Sequence, residues 1–375
     1  MTRFGSSLAA LTLVLVSCLA VPVPLVAPYA DLSAVRALRL GYVHMIDGAV
    51  GWAISETGAI VRTIDGGQQW TNVTPRGQPI ILADVAFLTG RLAIVVAIPS
   101  QPANHALVFR TADGGQSWRS VIVTLLFPND IRQLTFVDAR HGWLFAAPNP
   151  AAGSQASQVL RTSDGGARWD SVAVTDPPGQ YTRGGLPFVG DKSGLGFSDA
   201  STGFATGPGV VAGDTYLYVT HDGGRTWRYQ SLPLPTEHRK DIVSLDPPAF
   251  FTPHDGAMQG HLSSGQTFFV THDGGKTWAA TTPLPSPLRW SYLDVRQWVA
   301  FAGGSLYTTG DSGQHWTMID SNLSTLAPRG LKVLIFVTTR IGYGLSVIDG
   351  QEYGALLHTT DAGHTWSVLH PYQVS

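Results

Sequence analysis

Seven aspartates stand at one fixed place in a repeated phrase: Asp65, Asp113, Asp164, Asp222, Asp273, Asp311 and Asp361. Carboxylates in such number could bind a metal or serve as general acids and bases. Four of the same turns also hold histidine, at His221, His272, His315 and His364, which raises the possibility of zinc. The spacing argues against both. A calcium loop needs several oxygen ligands at alternating positions and a distal Glu, and a zinc site needs ligands that converge. Here each Asp and each His belongs to its own repeat. We therefore expect no metal and no cofactor, and read the aspartates as turn caps.

The phrase itself is Thr-x-Asp-(Gly/Ser/Ala)-Gly-x-x-Trp, first seen at Thr63–Trp70. Its copies end at Trp70, Trp118, Trp169, Trp227, Trp278, Trp316 and Trp366. The fourth position is Gly in five copies, Ser312 in the sixth and Ala362 in the seventh. Apolar or β-branched residues run into it, so a strand ends there. The Asp carboxylate can accept from the N–H groups of the turn, the glycines supply positive φ, and the Trp opens the returning strand with a large apolar face. Each copy reads as a hairpin with a Trp staple that packs between neighbouring units.

The elements that carry these hairpins follow from their spacing. Successive Trp positions lie 48, 51, 58, 51, 38 and 50 residues apart, the period of a propeller with several strands per blade. The shortest gap leaves room for four strands and their turns. The expected fold is all-β: one seven-bladed propeller of four-stranded antiparallel blades over residues 39–375, with blades near 40–74, 80–123, 131–174, 193–232, 247–282, 291–320 and 330–370. A weaker pattern, a Gly followed by an aromatic, opens the second strand at Gly51-Trp52, Gly142-Trp143, Gly203-Phe204 and Gly342-Tyr343. The 42 Gly and the 13% of charged residues suit short strands and tight turns. A net charge of −2 gives no general signal for nucleic acid. Each blade is complete within its own repeat, so closure is expected to need no exchanged strand, with residues 24–38 at most lying along an outer edge.

Residues 1–18 read as a secretory signal, with Arg3 before an apolar run over Leu8–Val16. The run ends in Leu15-Val16-Ser17-Cys18, similar to a bacterial lipobox in which Cys18, the single cysteine, is lipidated. Residues 19–38 then form a tether. The expected location is outside the cytoplasmic membrane, lipid-anchored there, or secreted if the lipobox is not used.

The inferred strand order sorts the connections onto two faces. Short, stereotyped turns share one. The long segments 99–106, 147–158, 175–193, 207–214, 231–248, 282–289 and 321–330 share the other, and binding residues concentrate on long loops held by a rigid scaffold. Candidate partner-binding residues on that face are Tyr181, Arg183, Lys192, Glu237, His238, Arg239, Lys240, Arg289, Trp290, Tyr292, Arg329, Glu352 and Tyr353.

The repeated phrase is the Asp-box, or BNR repeat, shared by sialidases, xyloglucan-active glycosidases, sortilin-type receptors and photosystem II assembly factors. Residues 40–74, with Gly51-Trp52 and Gly58-x-Ile60-x-x-Thr63-x-Asp65-Gly66-Gly67-x-x-Trp70, most resemble the Ycf48/HCF136 family of assembly and stability factors. The resemblance implies a non-enzymatic, monomeric protein that binds partner proteins, membrane proteins among them, at a membrane. The interrupted Gly-aromatic pattern in blades two, five and six departs from it. The alternative is a carbohydrate-binding or sialidase-like glycosidase propeller, which needs an Arg cluster and a Tyr–Glu pair. This chain has no Arg-Ile-Pro phrase before its first box, and only Glu56, Glu237 and Glu352 as glutamates.

Overall fold

The computed structural model describes residues 36–374, apart from 78–79, 101–103, 128–129, 176–181, 184, 242, 263–264, 285–287, 349 and 352. Seven antiparallel sheets of four core strands follow one another along the chain as a seven-bladed propeller. Blade one runs Leu40–Met45, Gly51–Ser55, Ile60–Thr63 and Gln69–Asn72. The first strand of each blade is the innermost, and these strands touch one another from blade to blade. Ile131–Phe136 lies against both Ile80–Phe87 and Gly194–Phe197, and Leu331–Phe336 against both Leu288–Tyr292 and Leu40–Met45.

The box turns are built alike in all seven blades, and threonine is the hub. Each box Thr is 1–4% exposed. Its hydroxyl donates to the Asp carboxylate at 2.7–2.9 Å. The same oxygen accepts the N–H of the fifth-position Gly at 2.8–3.1 Å. The Asp then caps the turn, as when Asp65 accepts from the N–H groups of Gln68 and Gln69. The fourth-position N–H is satisfied across the blade by a carbonyl of the turn between first and second strands: Gly66 to Ala49, Gly165 to Arg140, Ala362 to Arg340, at 2.8–2.9 Å. One face of the disc is thus tied turn to turn. Ser312 and Ala362 hold φ near +63° and +64°, where the other five copies use glycine; a side chain there costs about 1 kcal/mol.

The seams between blades use the Gly-aromatic pattern. Trp52 stacks on Phe87 of the next blade with ring centroids 5.2 Å apart, Trp143 on Phe197 at 3.5 Å and Phe204 on Phe250 at 5.6 Å. Their indole N–H groups reach the next blade's turns, Trp52 to the Thr89 carbonyl and Trp143 to that of Gly223. The preceding Gly is required by contact: a Cβ on Gly142 would sit 2.5 Å from the Phe136 ring. The box tryptophans pack first inside their own blades, edge-on to the first-strand ring, as Trp169 does on Phe136 and Trp366 on Phe336. Trp70, Trp169, Trp227 and Trp366 donate to their own box Gly carbonyl, and only Trp118 reaches back, to Val73.

Two blades depart from the simple repeat. In blade five the innermost strand is split into Ser244–Leu245 and Ala249–Phe250, both paired with Gly256–Leu262. Pro247 and Pro248, which cannot donate to the ladder, lie between them. Blade one has six strands. Beyond blade seven's own fourth strand, Ser367–Leu369, the tail crosses to blade one, where Tyr372–Val374 pairs in parallel with Gln69–Thr71. Arg36–Ala37 then pairs antiparallel to the tail. Blades one and seven do each hold four strands of their own, but closure does not rest on packing alone. The reason is the open outer edge of blade one, a row of unpaired backbone groups that the tail covers.

A chain ending at His370 loses this clasp and releases Arg36–Ala37. It should fold but lose about 2 kcal/mol, the worth of a few backbone hydrogen bonds. Equilibrium urea denaturation of the two chains measures the difference; equal midpoints would mean the clasp holds nothing.

Candidate functional site

The long-loop face begins where the innermost strands start. In blades one, two, three and seven these strands carry a bulge at the same place, which sets out the extra residue Gly41, Ala83, Arg132 or Lys332. Arg132 is braced by the Ala147 carbonyl and the Asn149 side chain. Lys332 donates to the Gln351 carbonyl, and its own carbonyl accepts from Arg289. Beside them Arg39 lies 4.5 Å over the Tyr353 ring, donates to its hydroxyl at 2.7 Å and sits 3.7 Å from Glu56. Blades six, seven and one thereby share a cationic rim. Sequence reading selected Arg289 and Tyr353 of this group, and the exposed Arg329 just before the strand Leu331–Phe336, and missed Arg39, Arg132 and Lys332. The available signal was positional: Arg132 and Lys332 occupy equivalent places in their repeats.

The loops of blades three to five are packed against each other. Gly209 and Gly213 donate to the carbonyls of Val243 and Asp241. His238 is buried, with Nδ1 2.9 Å from Asp241, so it ties down its loop rather than facing a partner. Lys192 is also buried. Its Nζ donates to the carbonyls of Gln155 and Gly190, and burial lowers its pKa to about 8 against the opposing charge of Asp191. It is a bolt between two loops. Arg239 and Lys240 are exposed. Trp290 and Tyr292, expected among the partner-binding residues, pack around Phe268 in the seam of blades five and six, because alternate residues of their strand face that seam. Arg183 lies in a short strand, Thr182–Arg183, added to blade three, and Glu237 in the turn Thr236–His238. Cys18 with the leader and tether to residue 35, Tyr181 and Glu352 lie outside the described residues.

Polar side chains also peg the innermost strands together. Asp84 accepts from the Leu134 N–H of the next blade at 2.6 Å; burial pushes its carboxyl up to about 7 despite that bond. Gln133 exchanges two hydrogen bonds with the Leu195 backbone. Asp246 is 3.0 Å from His261, whose other nitrogen meets Gln266. Burial works against a charged His261, but the Asp246 hydrogen bond and charge carry its pKa upward. His44 has neither ring nitrogen bonded, and burial lowers it to about 4. Among the described residues no group of three His, Cys, Asp or Glu side chains could hold a metal ion, and no helix is long and apolar enough to cross a membrane.

A family model for the BNR/Asp-box repeat matches residues 269–280. Over 132 residues the chain is 30% identical to the photosystem II assembly lipoprotein Ycf48 of Synechococcus sp. (strain CC9902), a stretch covering 32% of this chain and 34% of that protein. The matched stretch therefore spans about a third of the relative's length. A structure of Ycf48 bound to a D1 peptide superposes with a TM-score of 0.55 at 18% identity, over 91% of this chain and 98% of the other. Ycf48 from Cyanidioschyzon merolae gives 0.53 at 18%, over 89% and 99%. The GH74 enzyme of Niastella koreensis gives 0.56 at 12%, over 92% of this chain and 55% of the enzyme. The chain is a BNR-repeat propeller similar to Ycf48, and the fold by itself is shared with hydrolases.

His44 generates a pH prediction. Its folded pKa near 4 lies below the unfolded value of 6.5. The folded state then binds fewer protons, and stability present above pH 6.5 is lost as pH falls toward 4. His44→Leu removes that loss and should gain about 2 kcal/mol relative to wild type on going from pH 8 to pH 5. Asp84, raised to about 7, acts with the opposite sign in both proteins and drops out of the difference. Urea midpoints at the two pH values test it; a pH-independent gap would mean His44 is not buried neutral.

Proposed function

We propose that this chain is a non-enzymatic, exported propeller that docks a partner protein on its long-loop face, as an assembly-type factor does. The observation that carries the reading is the asymmetry of the disc. On one face the box turns and the neighbouring turns satisfy each other. The opposite face carries the long loops, the exposed Arg239 and Lys240 and the rim of Arg39, Arg329 and Lys332. Guanidinium and ammonium groups on a rigid rim steer association with acidic or polar protein surfaces. The solved Ycf48 complex holds a D1 peptide, and a peptide-sized ligand suits such a face here as well. Among the described glutamates, Glu56 of blade one is paired with Arg39 and Glu237 lies in the turn Thr236–His238 between blades four and five, so the two do not share one blade.

The partner is a protein at or in a membrane, and Cys18 supplies the anchor that keeps the propeller beside it. Capture from solubilised membranes tests the docking face. Arg239→Glu with Arg329→Glu should cut recovery about tenfold at low salt, while Arg168→Glu with Lys276→Glu, on the box turns, should not. Equal losses from both pairs, or cleavage of xyloglucan oligosaccharides by the wild type, would overturn the reading.

The anchor has its own test. Mass spectrometry of the mature protein should find a diacylglyceryl group on Cys18 as the first residue, and Cys18→Ala should release the chain from membranes. An unmodified terminus downstream of Cys18 would remove the lipid anchor from the proposal.

A further inference from the structure

On the long-loop side of the seam between blades three and four lies a pocket of about 250 Å³, lined by Val189, Val210, Asp214, Tyr216, Tyr218 and Tyr229 among others. Three tyrosines share one side of this blade for a simple reason of register. Tyr216 and Tyr218 are two apart on one strand, and Tyr229 pairs directly with Tyr218 across the ladder. The rings do not form a flat platform. Tyr216 and Tyr218 have centroids 4.7 Å apart with planes at 50°, and Tyr218 and Tyr229 are 5.7 Å apart at 71°.

Asp214 is the one charged side chain among the lining residues. Asp214 accepts the Tyr229 hydroxyl at 2.5 Å and its neighbour's N–H at 2.8 Å. Tyr216 already accepts one cation, since Lys192 Nζ lies 5.5 Å from its ring centre while two carbonyls hold it in place. Two further features are unpaired: the Tyr216 hydroxyl and the Thr215 hydroxyl are buried without a hydrogen-bond partner, each on a residue 3% exposed. Around the mouth the surface is apolar. Val189, Val210, Val211 and Tyr229 are 48–58% exposed and make up four of the ten exposed large hydrophobics among the described residues. Such clustering marks an interaction site rather than scattered surface.

We propose that this pocket receives the ammonium or guanidinium group of a lysine or arginine side chain of the partner protein, whose aliphatic stem lies against Val189 and Val210. The proposal rests on the reading that a partner protein docks on this face. Ring faces set at steep angles with a carboxylate beside them enclose a cation. A sugar would need one open, flat ring face, and an anion would meet Asp214.

The test uses the full chain and small probes: choline, N-acetyl-lysine methylamide, the neutral choline isostere 3,3-dimethylbutan-1-ol, and methyl β-glucoside. Tyrosine ring signals are followed by NMR. The two cations should shift the rings of Tyr218 and Tyr229 saturably, about tenfold tighter than the neutral isostere. Asp214→Asn keeps an acceptor for the Tyr229 hydroxyl and for the Thr215 N–H, and removes the charge. It should bring cation affinity down to that of the isostere and leave isostere binding unchanged. Equal binding of isostere and cation, preference for the glucoside, or no shift up to tens of millimolar would each overturn the proposal. Membrane capture distinguishes this from the docking reading. Capture that survives Asp214→Asn without loss sinks the cation pocket alone; cation binding by a protein that captures no partner sinks the docking reading alone.

Discussion

A four-stranded sheet with two apolar faces cannot bury either of them alone, and that constraint governs this molecule. Every blade must lay a face on each neighbour, so the ring is only as firm as its seams. Three seams are made by a second-strand aromatic, Trp52, Trp143 or Phe204, each stacked on the first-strand Phe of the next blade, while Tyr343 of blade seven reaches blade one by donating its hydroxyl to the Gly48 carbonyl. Where the aromatic is missing, another packing takes over. In the seam of blades five and six Phe268, Trp290, Tyr292 and Trp298 form an edge-to-face cluster contributed from other positions.

The box turns serve the same constraint. A buried threonine hydroxyl that both donates to Asp and accepts from Gly fixes the hairpin at the outer part of each blade, and the fourth-position N–H ties it to the turn beside the innermost strand. The fifth-position Gly is then pressed against the previous blade: a Cβ on Gly275 would meet the Phe204 ring, and one on Gly363 would meet Leu306. Asp361 is held at about 2 by the hydroxyl and N–H of Thr365 as a result. Seven carboxylates that suggest chemistry are in this way used up as acceptors within their own turns.

With one face locked by its turns, the long loops all lie on the other. Its loops are long because nothing in the ring requires them short. Some of their charges turned inward as the loops packed: Lys192 and His238 hold loops together, while Arg39, Arg239 and Lys240 stay at the surface.

The number of blades, the strands per blade and the turn chemistry are legible in the residues alone, because each of these is local and is written seven times over. The pairing of Thr63 with Asp65 or of Gly66 with positive φ involves residues a few positions apart, and repetition separates it from chance. Tertiary structure alone decided what depends on residues far apart. That the tail Tyr372–Val374 lies on blade one, that Arg39 meets Tyr353 across 314 positions, that Trp290 faces a seam and that Lys192 is buried all follow from how the ring closes and how its irregular loops fold onto each other. These loops do not repeat, so their charged residues look alike in the sequence, and only packing separates those that brace the scaffold from those that stay at the surface.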